Sequence, residues 1–440
     1  MDKRIVLVGA GSTSFGPEIL SDIFLSDILK GSTIVLHDID KNKLEMIYDI
    51  ALKENEIRDN IFNIERSSKR SDAFKDADFI INSIEVGDRF ALWRQDREIP
   101  RKHRSSQILG ECGGPGGAFH AFRILPQIID IVNDAEKICP NSFFINFSNP
   151  LSRVCLAIKR STQNLKFIGL CHQIVFLNRH LPKMLKRDLE DLKMKVVGLN
   201  HFGFLIGLEN FETGKDLMPE FHSKASKYFM QHEDRFEFST LTFEVYKRFG
   251  YFPHPGDNHL GEYLQFGEEF TKEHDMLDWI DLMDQLGKAV YGRVTRYHKR
   301  LKKGRYTKKG SLYRTPSGER AIPIIEEILT NKKTYESSVN IPNAGLVENL
   351  PQDLVIEGPV IVDKDGVHGV KIGNLPKNIA ALLRIEATIQ DLCVEAVLKR
   401  SKELAITCLA LDTNVGSFEM AENIFNEMCE LQKKYLPKFR

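Results

Sequence analysis

Short apolar runs alternate with longer charged or amphipathic stretches through the first 170 residues. Arg4-Ile-Val-Leu-Val8 reads as a buried strand, and Gly9-Ala-Gly11-Ser12 turns it into a helix that Pro17 helps begin. Thr33-Ile-Val-Leu-His37 predicts a second strand, ending at Asp38 and Asp40. Ala77 to Ser83 and Ser142 to Phe147 predict two more, each entered from a charged helical stretch. Lys166 to Leu170 and Met194 to Leu199 are further short apolar runs that end in turns. Short apolar strands alternating with helices predict an α/β fold built on a Rossmann-like, doubly wound parallel sheet. Beyond it the pattern changes. Residues 211–245 are mixed, charged and helical in character, and residues 376–435 carry apolar positions spaced three and four apart. In the latter, Leu382, Leu383, Ile389, Leu392, Ala396 and Val397 share one helical face, the mark of core or subunit contact.

Composition narrows the class. The chain has 440 residues, with 61 Lys plus Arg against 61 Asp plus Glu, so no overall field recommends nucleic acid or an acidic membrane. The basic stretch from Lys299 to Lys309 reads as a solvated loop or interface. No signal-peptide core follows Met1, and no apolar run approaches the ~18 residues of a membrane span. Seven irregularly spaced cysteines argue for a reducing compartment and against a disulfide framework. The expectation is a cytoplasmic, soluble protein with room for a large core.

Two groups of residues carry chemistry. Glycines after the first strand let a backbone approach a pyrophosphate, whose charge the amides of the following helix N-terminus would face. Gly9, Gly11 and Ser12 form this turn, Ser14 stands where a third glycine is usual, and Gly16 follows. Asp38, 27 residues beyond Gly11, stands where an acid takes a ribose hydroxyl and repels a 2′-phosphate, favouring NAD over NADP. Glu85, just past the strand ending at Ser83, could face the same cofactor. A tight strand-to-helix turn without a ligand, and a solvated loop glutamate, are the plainer readings. Further on, Cys171 and His201 each follow an apolar run. A thiolate and a neutral imidazole are plausible ligands for a divalent transition metal.

Several phrases, taken in order, resemble glycoside hydrolase family 4. They are Gly9-Ala-Gly11-Ser12, Gly113-Gly-Pro-Gly-Gly117, Asn146-Phe-Ser-Asn149-Pro150, Gly169-Leu-Cys171-His172, Gly198-Leu-Asn-His201-Phe-Gly203 and Gly256-Asp257. Gly345 to Pro359 resembles a later stretch of that family. The resemblance implies a lactate/malate dehydrogenase-like fold and a glycosidase dependent on NAD and a divalent metal, typically Mn2+. It implies oxidation of the sugar at C3, metal-assisted loss of the C2 proton, elimination of the aglycone, addition of water and return of the hydride. Cys171 and His201 match the metal ligands. His172 stands where one branch carries the acid for an α-linked leaving group. Asp257 matches the position of a C2 base, and Tyr251 competes with it for that role. Asn149, Glu111 and Arg94 are candidates for substrate binding. Cys171-His172 resembles the α-glucosidase, α-galactosidase and glycuronidase branches and departs from the phosphoglycoside ones.

The expected organisation is an NAD-binding domain over residues 1–170 and a metal, substrate and C-terminal α+β domain over 171–440, assembled as a homodimer or homotetramer. The expected partner is a small glycoside. A 2-hydroxy-acid dehydrogenase and a noncatalytic NAD-binding regulator are the rival readings. The first needs no metal, and the second has no use for Cys171 and His201 together.

Overall fold

Residues 2–12, 16–231, 240–271, 273–306 and 311–440 are described in a computed structural model of the chain. The strands are β1 (Arg4–Val8), β2 (Thr33–His37), β3 (Asn63–Ser67), β4 (Phe79–Asn82), β5 (Phe143–Asn146) and β6 (Lys166–Gly169), then β7 (Leu192–Leu199), β8 (Phe202–Asn210), β9 (Phe252–Pro253), β10 (Thr334–Pro342), β11 (Val355–Asp363) and β12 (Gly366–Gly369). They form one sheet in the order β3-β2-β1-β4-β5-β6-β10-β11-β7-β8-β9, with β12 beside β11. The first six strands pair in parallel. Their order is that of two mononucleotide-binding halves joined at β1. From β6 onward every pairing is antiparallel. The α/β expectation therefore holds, with an antiparallel extension growing directly from the parallel sheet.

The parallel strands read as continuous apolar runs because both faces are covered. Ile5, Leu7, Ile34, Leu36, Phe79, Ile81, Phe143 and Ile145 enter the core on one face. Val6, Val8, Val35, Ile80 and Phe144, at the alternate positions, enter the core on the other. Helix Gly114–Ile138 belongs to this second face and begins at the glycine run, with Pro115 in its first turn. The C-terminal helix Lys377–Lys399 packs across it and across helix Leu151–Ser161. Its apolar stripe is core: Leu383, Ile389, Ala396 and Val397 are buried, and Leu382 and Leu392 are half-buried against them.

Some elements escape the apolar pattern. β3, Asn-Ile-Glu-Arg-Ser, is an edge strand with a polar sequence, and β10 mixes Tyr, Glu and Ser with its apolar positions. Helices Met218–Gln231 and Thr240–Phe249 bear out the helical character of residues 211–245, while 232–239 lie outside the described residues. The basic stretch begins within helix Glu273–Lys302; Ser14 and residues 307–309 lie outside the described residues. No helix among the described residues is long and apolar enough to cross a membrane, and all seven cysteines are free of disulfides.

Phe144 is fully buried in β5, which is paired on both sides, by β4 and β6. Phe144→Ala is expected to lower the unfolding free energy by about 3–5 kcal/mol, because a strand between two covered faces cannot collapse around the cavity. Urea unfolding of the variant against the parent checks this.

Candidate active site

The carboxyl ends of β1, β2, β4, β5 and β6 lie along one edge, where open parallel sheets bind ligands. At β1 the amides of Gly9 and Ala10 both donate to the His37 carbonyl, at 3.0 and 3.1 Å. The Gly11 amide donates to Asp38 Oδ2 at 2.9 Å, and the Asp40 amide to Oδ1 at 2.8 Å. The acid is thus oriented by backbone before any ligand arrives. A Cβ on Gly16 would lie 2.4 Å from the Ala10 carbonyl oxygen. Gly16 therefore supplies the close helix-to-strand packing that a glycine at position 14 would otherwise give.

After β4, Glu85 meets His120, whose Nε2 lies 3.2 Å from its Oε2, and Arg89 at 3.9 Å. Desolvation pushes the Glu85 carboxyl up, but the charges of His120 and Arg89 outweigh it and hold the group down at about 2. Arg89 also donates to Glu111 Oε1 at 2.6 Å, and His120 Nδ1 lies 2.9 Å from the Glu111 carbonyl. Glu85 and Glu111 are therefore bound into one network.

Gly169, Asn340, Glu357 and Gly198 pair in a row from β6 through β10 and β11 to β7. Cys171 and His201 follow the outer two members, and their side chains meet, Cys171 Sγ to His201 Nε2, at 3.2 Å. A Cβ on Gly198 would sit 2.4 Å from the Phe202 carbonyl oxygen, so the tight β7–β8 turn that presents His201 needs glycine there. Burial, then the Glu357 carboxylate, push the Cys171 thiol up to about 12. Burial and the neighbouring histidines drive His201 far down, leaving a neutral imidazole. Its Nδ1 is buried without a hydrogen-bond partner. A protonated thiol and a neutral imidazole in hydrogen-bond contact fit a divalent ion that would take the thiol's proton's place. Asn200 donates to Glu357 at 3.0 Å and fixes the turn from behind.

A second wall was not legible as a site. The His259 ring lies 4.2 Å from that of His201, and His259 Nδ1 lies 3.4 Å from Glu262 Oε2. Glu262 Oε1 accepts from the amides of Glu111 and Cys112. Burial lowers His259, but Glu262 and Glu111 outweigh it and raise its affinity for a proton. The sequence signal was present: His259 and Glu262 stand three residues apart just after Asp257, on one face of a helical turn. His172, with its side chain 64% exposed, lies at the mouth, 3.8 Å from Glu319. Desolvation, and then Glu18 and Asp22, push Glu319 up to about 7.

The remaining candidates fall in different surroundings. Asn149 follows β5 on the ligand edge, in a loop tied down by Ser148 Oγ donating to the Ile84 carbonyl at 2.7 Å. Asp257 is buried, and its carboxylate accepts from the amides of Leu241 and Thr242, at 3.0 and 2.9 Å, and from the Thr242 hydroxyl. It caps helix Thr240–Phe249. Tyr251 is half-buried against the core. Arg94 points to helix Glu273–Lys302, bonded to Asp281 at 2.8 Å and Asp284 at 2.9 Å.

A dinucleotide-type sheet that delivers a thiol and an imidazole to its ligand edge defines a class of metal-assisted, nucleotide-dependent enzymes. Within that class the chain belongs to the family 4 glycosyl hydrolases: the family's model matches residues 4–187, and the model of its C-terminal domain matches residues 196–415. It is a glycoside hydrolase. An α-glucosidase of Erwinia rhapontici is 34% identical, with 99% of each chain covered. An α-galactosidase of Bacillus subtilis is 30% identical over 97% of this chain and 96% of that one. A 6-phospho-α-glucosidase from gut microorganisms, solved with NAD and Mn2+, superposes with a TM-score of 0.86 at 23% identity, covering all of both chains.

Glu319 supplies a test of the electrostatics at the mouth. Its native carboxyl holds a proton that the unfolded chain has lost above about pH 4.3, so native stability falls as pH rises from there through about 7. Glu319→Gln removes this dependence. Between pH 5 and pH 8 the variant is expected to lose about 1–3 kcal/mol less stability than the parent, read from denaturant midpoints at the two pH values.

Proposed function

We propose that the enzyme hydrolyses an α-linked hexoside by oxidation, elimination and re-reduction, using NAD and Mn2+, as a cytoplasmic homo-oligomer. The first 170 residues hold the nucleotide, and residues 171–440 hold the metal and sugar. The observation that carries this reading is the 3.2 Å contact between Cys171 and His201 on the edge that also bears Asp38. The α-glucosidase and α-galactosidase relatives support the α linkage.

When bound, NAD supplies an oxidant that makes C3 a ketone and C2 acidic, while Mn2+ at Cys171 and His201 supplies positive charge for the oxygens of C2 and C3. The chain's own residues do the rest. Asp38 holds a ribose hydroxyl, beside the turn of Gly9, Gly11 and Ser12. Glu85, kept ionised by His120 and Arg89, closes the nicotinamide side. His172, at the open mouth, protonates the leaving oxygen. For the C2 proton the geometry favours His259: its ring lies against the ligand His201, and Glu262 fixes its tautomer. Asp257, whose carboxylate caps a helix, positions the segment that carries His259. Tyr251 is the remaining candidate for that proton. Asn149 and Glu111 take sugar hydroxyls, and Arg94, clamped by two aspartates, steadies the helix it shares with Arg89.

Chelation is expected to abolish turnover of an aryl α-glycoside, and Mn2+ with reductant to restore it. Cys171→Ser should not recover, since a neutral hydroxyl replaces a thiolate. Full activity in excess chelator would remove the metal from the reaction. Hydrolysis should need NAD yet accumulate no NADH; steady growth of NADH with product would instead mark a dehydrogenase.

Deprotonation at C2 predicts that product formed in D2O carries deuterium there. His259→Gln should lower turnover by about 10² or more, the share of a positioned general base. Asp257→Asn should mainly lower stability, by about 1 kcal/mol for a weakened cap. Product free of deuterium would end the elimination reading. Loss of exchange in Asp257→Asn with exchange intact in His259→Gln would return the base to Asp257.

A further inference from the structure

Beside the Cys171–His201 pair lies another set of ligand atoms. Cys112, His201 and Glu262 are all buried, and each offers one atom within 4.8 Å of the other two. Cys171 is not a member of this set, and the two positions meet at the His201 ring. The ring suits a shared role: Nε2 lies beside Cys171, while Nδ1 is buried and unpartnered. The carboxylate of Glu262 is oriented by the amides of Glu111 and Cys112, the latter at 3.2 Å, in the loop that carries the thiol. Thiol, imidazole and carboxylate together are the donor types of zinc sites, where ligand atoms stand about 3.5 Å apart around the ion. A hard ion such as Mn2+ gains little from Cys112, whereas a thiophilic one gains a strong bond.

We propose that Cys112, His201 and Glu262 form a second divalent-metal position, selective for a thiophilic ion such as Zn2+ or Cd2+, that competes with the Cys171 position for His201. On binding, the Cys112 S–H bond breaks, its proton passes to solvent and a sulfur–metal bond forms, with no change of oxidation state. This assignment stands on the ligand geometry alone and is independent of the reaction proposed above.

Cd2+ titrated into the purified full-length protein tests it through the ultraviolet thiolate-to-cadmium charge-transfer band, a readout that needs no turnover. Cys171→Ser is expected to keep a band, and the double variant Cys112→Ser/Cys171→Ser to lose it. In the otherwise unaltered chain, Cys112→Ser should weaken Cd2+ binding, since only the Cys171 position remains, and Glu262→Gln should weaken it at least about tenfold. A Cys171→Ser protein with the parent's near-ultraviolet circular dichroism and no band would overturn the assignment. So would an unaltered Cd2+ affinity in Cys112→Ser, which decides the matter even where Cys171→Ser fails to fold.

Discussion

A half-buried thiol and a buried imidazole held 3.2 Å apart depend on how one sheet changes direction between them. Cys171 follows the last parallel strand, β6, and His201 follows β7 in the antiparallel extension, with β10 and β11 between. No local segment could bring these residues together. The pairings of Gly169 with Asn340, Asn340 with Glu357, and Glu357 with Gly198 do it, and Ile168, Val339, Ile341, Ile356, Val197 and Leu199 anchor the four strands in one core. The ligand pair is therefore as rigid as the sheet. Rigidity matters here because a displacement of about 1 Å is enough to spoil the spacing of two groups that must act together.

Charge around the pair is arranged with equal economy. Arg89, His120 and His259 stand among Glu85, Glu111, Glu262 and Glu319, and nearly every one of these groups has a named partner. Glu85, beside Arg89 and His120, stays ionised, whereas Glu319, with Glu18 and Asp22 as neighbours, retains its proton into the neutral range. Two carboxyls of the same chemistry thus serve as fixed charge and as proton reservoir, set apart by what faces them.

The loop bearing Glu111 and Cys112 is held from outside the sheet. Gln107 donates to the Asp96 carbonyl at 2.7 Å and accepts from the Gly116 amide at 2.8 Å. Asp96 itself is bound to the buried Arg123, and Gln432 near the C-terminus joins both. Asn414 donates to the Glu262 carbonyl at 2.8 Å. The C-terminal helices are thus structural parts of the site's wall, although they place no side chain on the Cys171–His201 pair.

What the sequence determined by itself was the parallel half of the molecule. Continuous apolar strands alternating with helices pack as a parallel sheet covered on both faces, and that packing puts Asp38, Glu85, Asn149 and Cys171 on one edge. The motif phrases likewise paired Cys171 with His201 before any coordinates. The tertiary structure decided what lay beyond local pattern. Edge strand β3 and the mixed β10 carry too few apolar positions to announce themselves, since their partners complete them. Asp257, in a Pro-Gly-Asp-Asn turn, has its carboxylate on a helix N-terminus that only folding brings near. Arg94 found two aspartates nearly two hundred residues away. His259, Glu262 and Cys112 became a wall of the site because a helical turn and a glycine-rich loop, distant in sequence, meet over His201. Such convergence depends on long-range packing, which the spacing of residues along a chain does not encode.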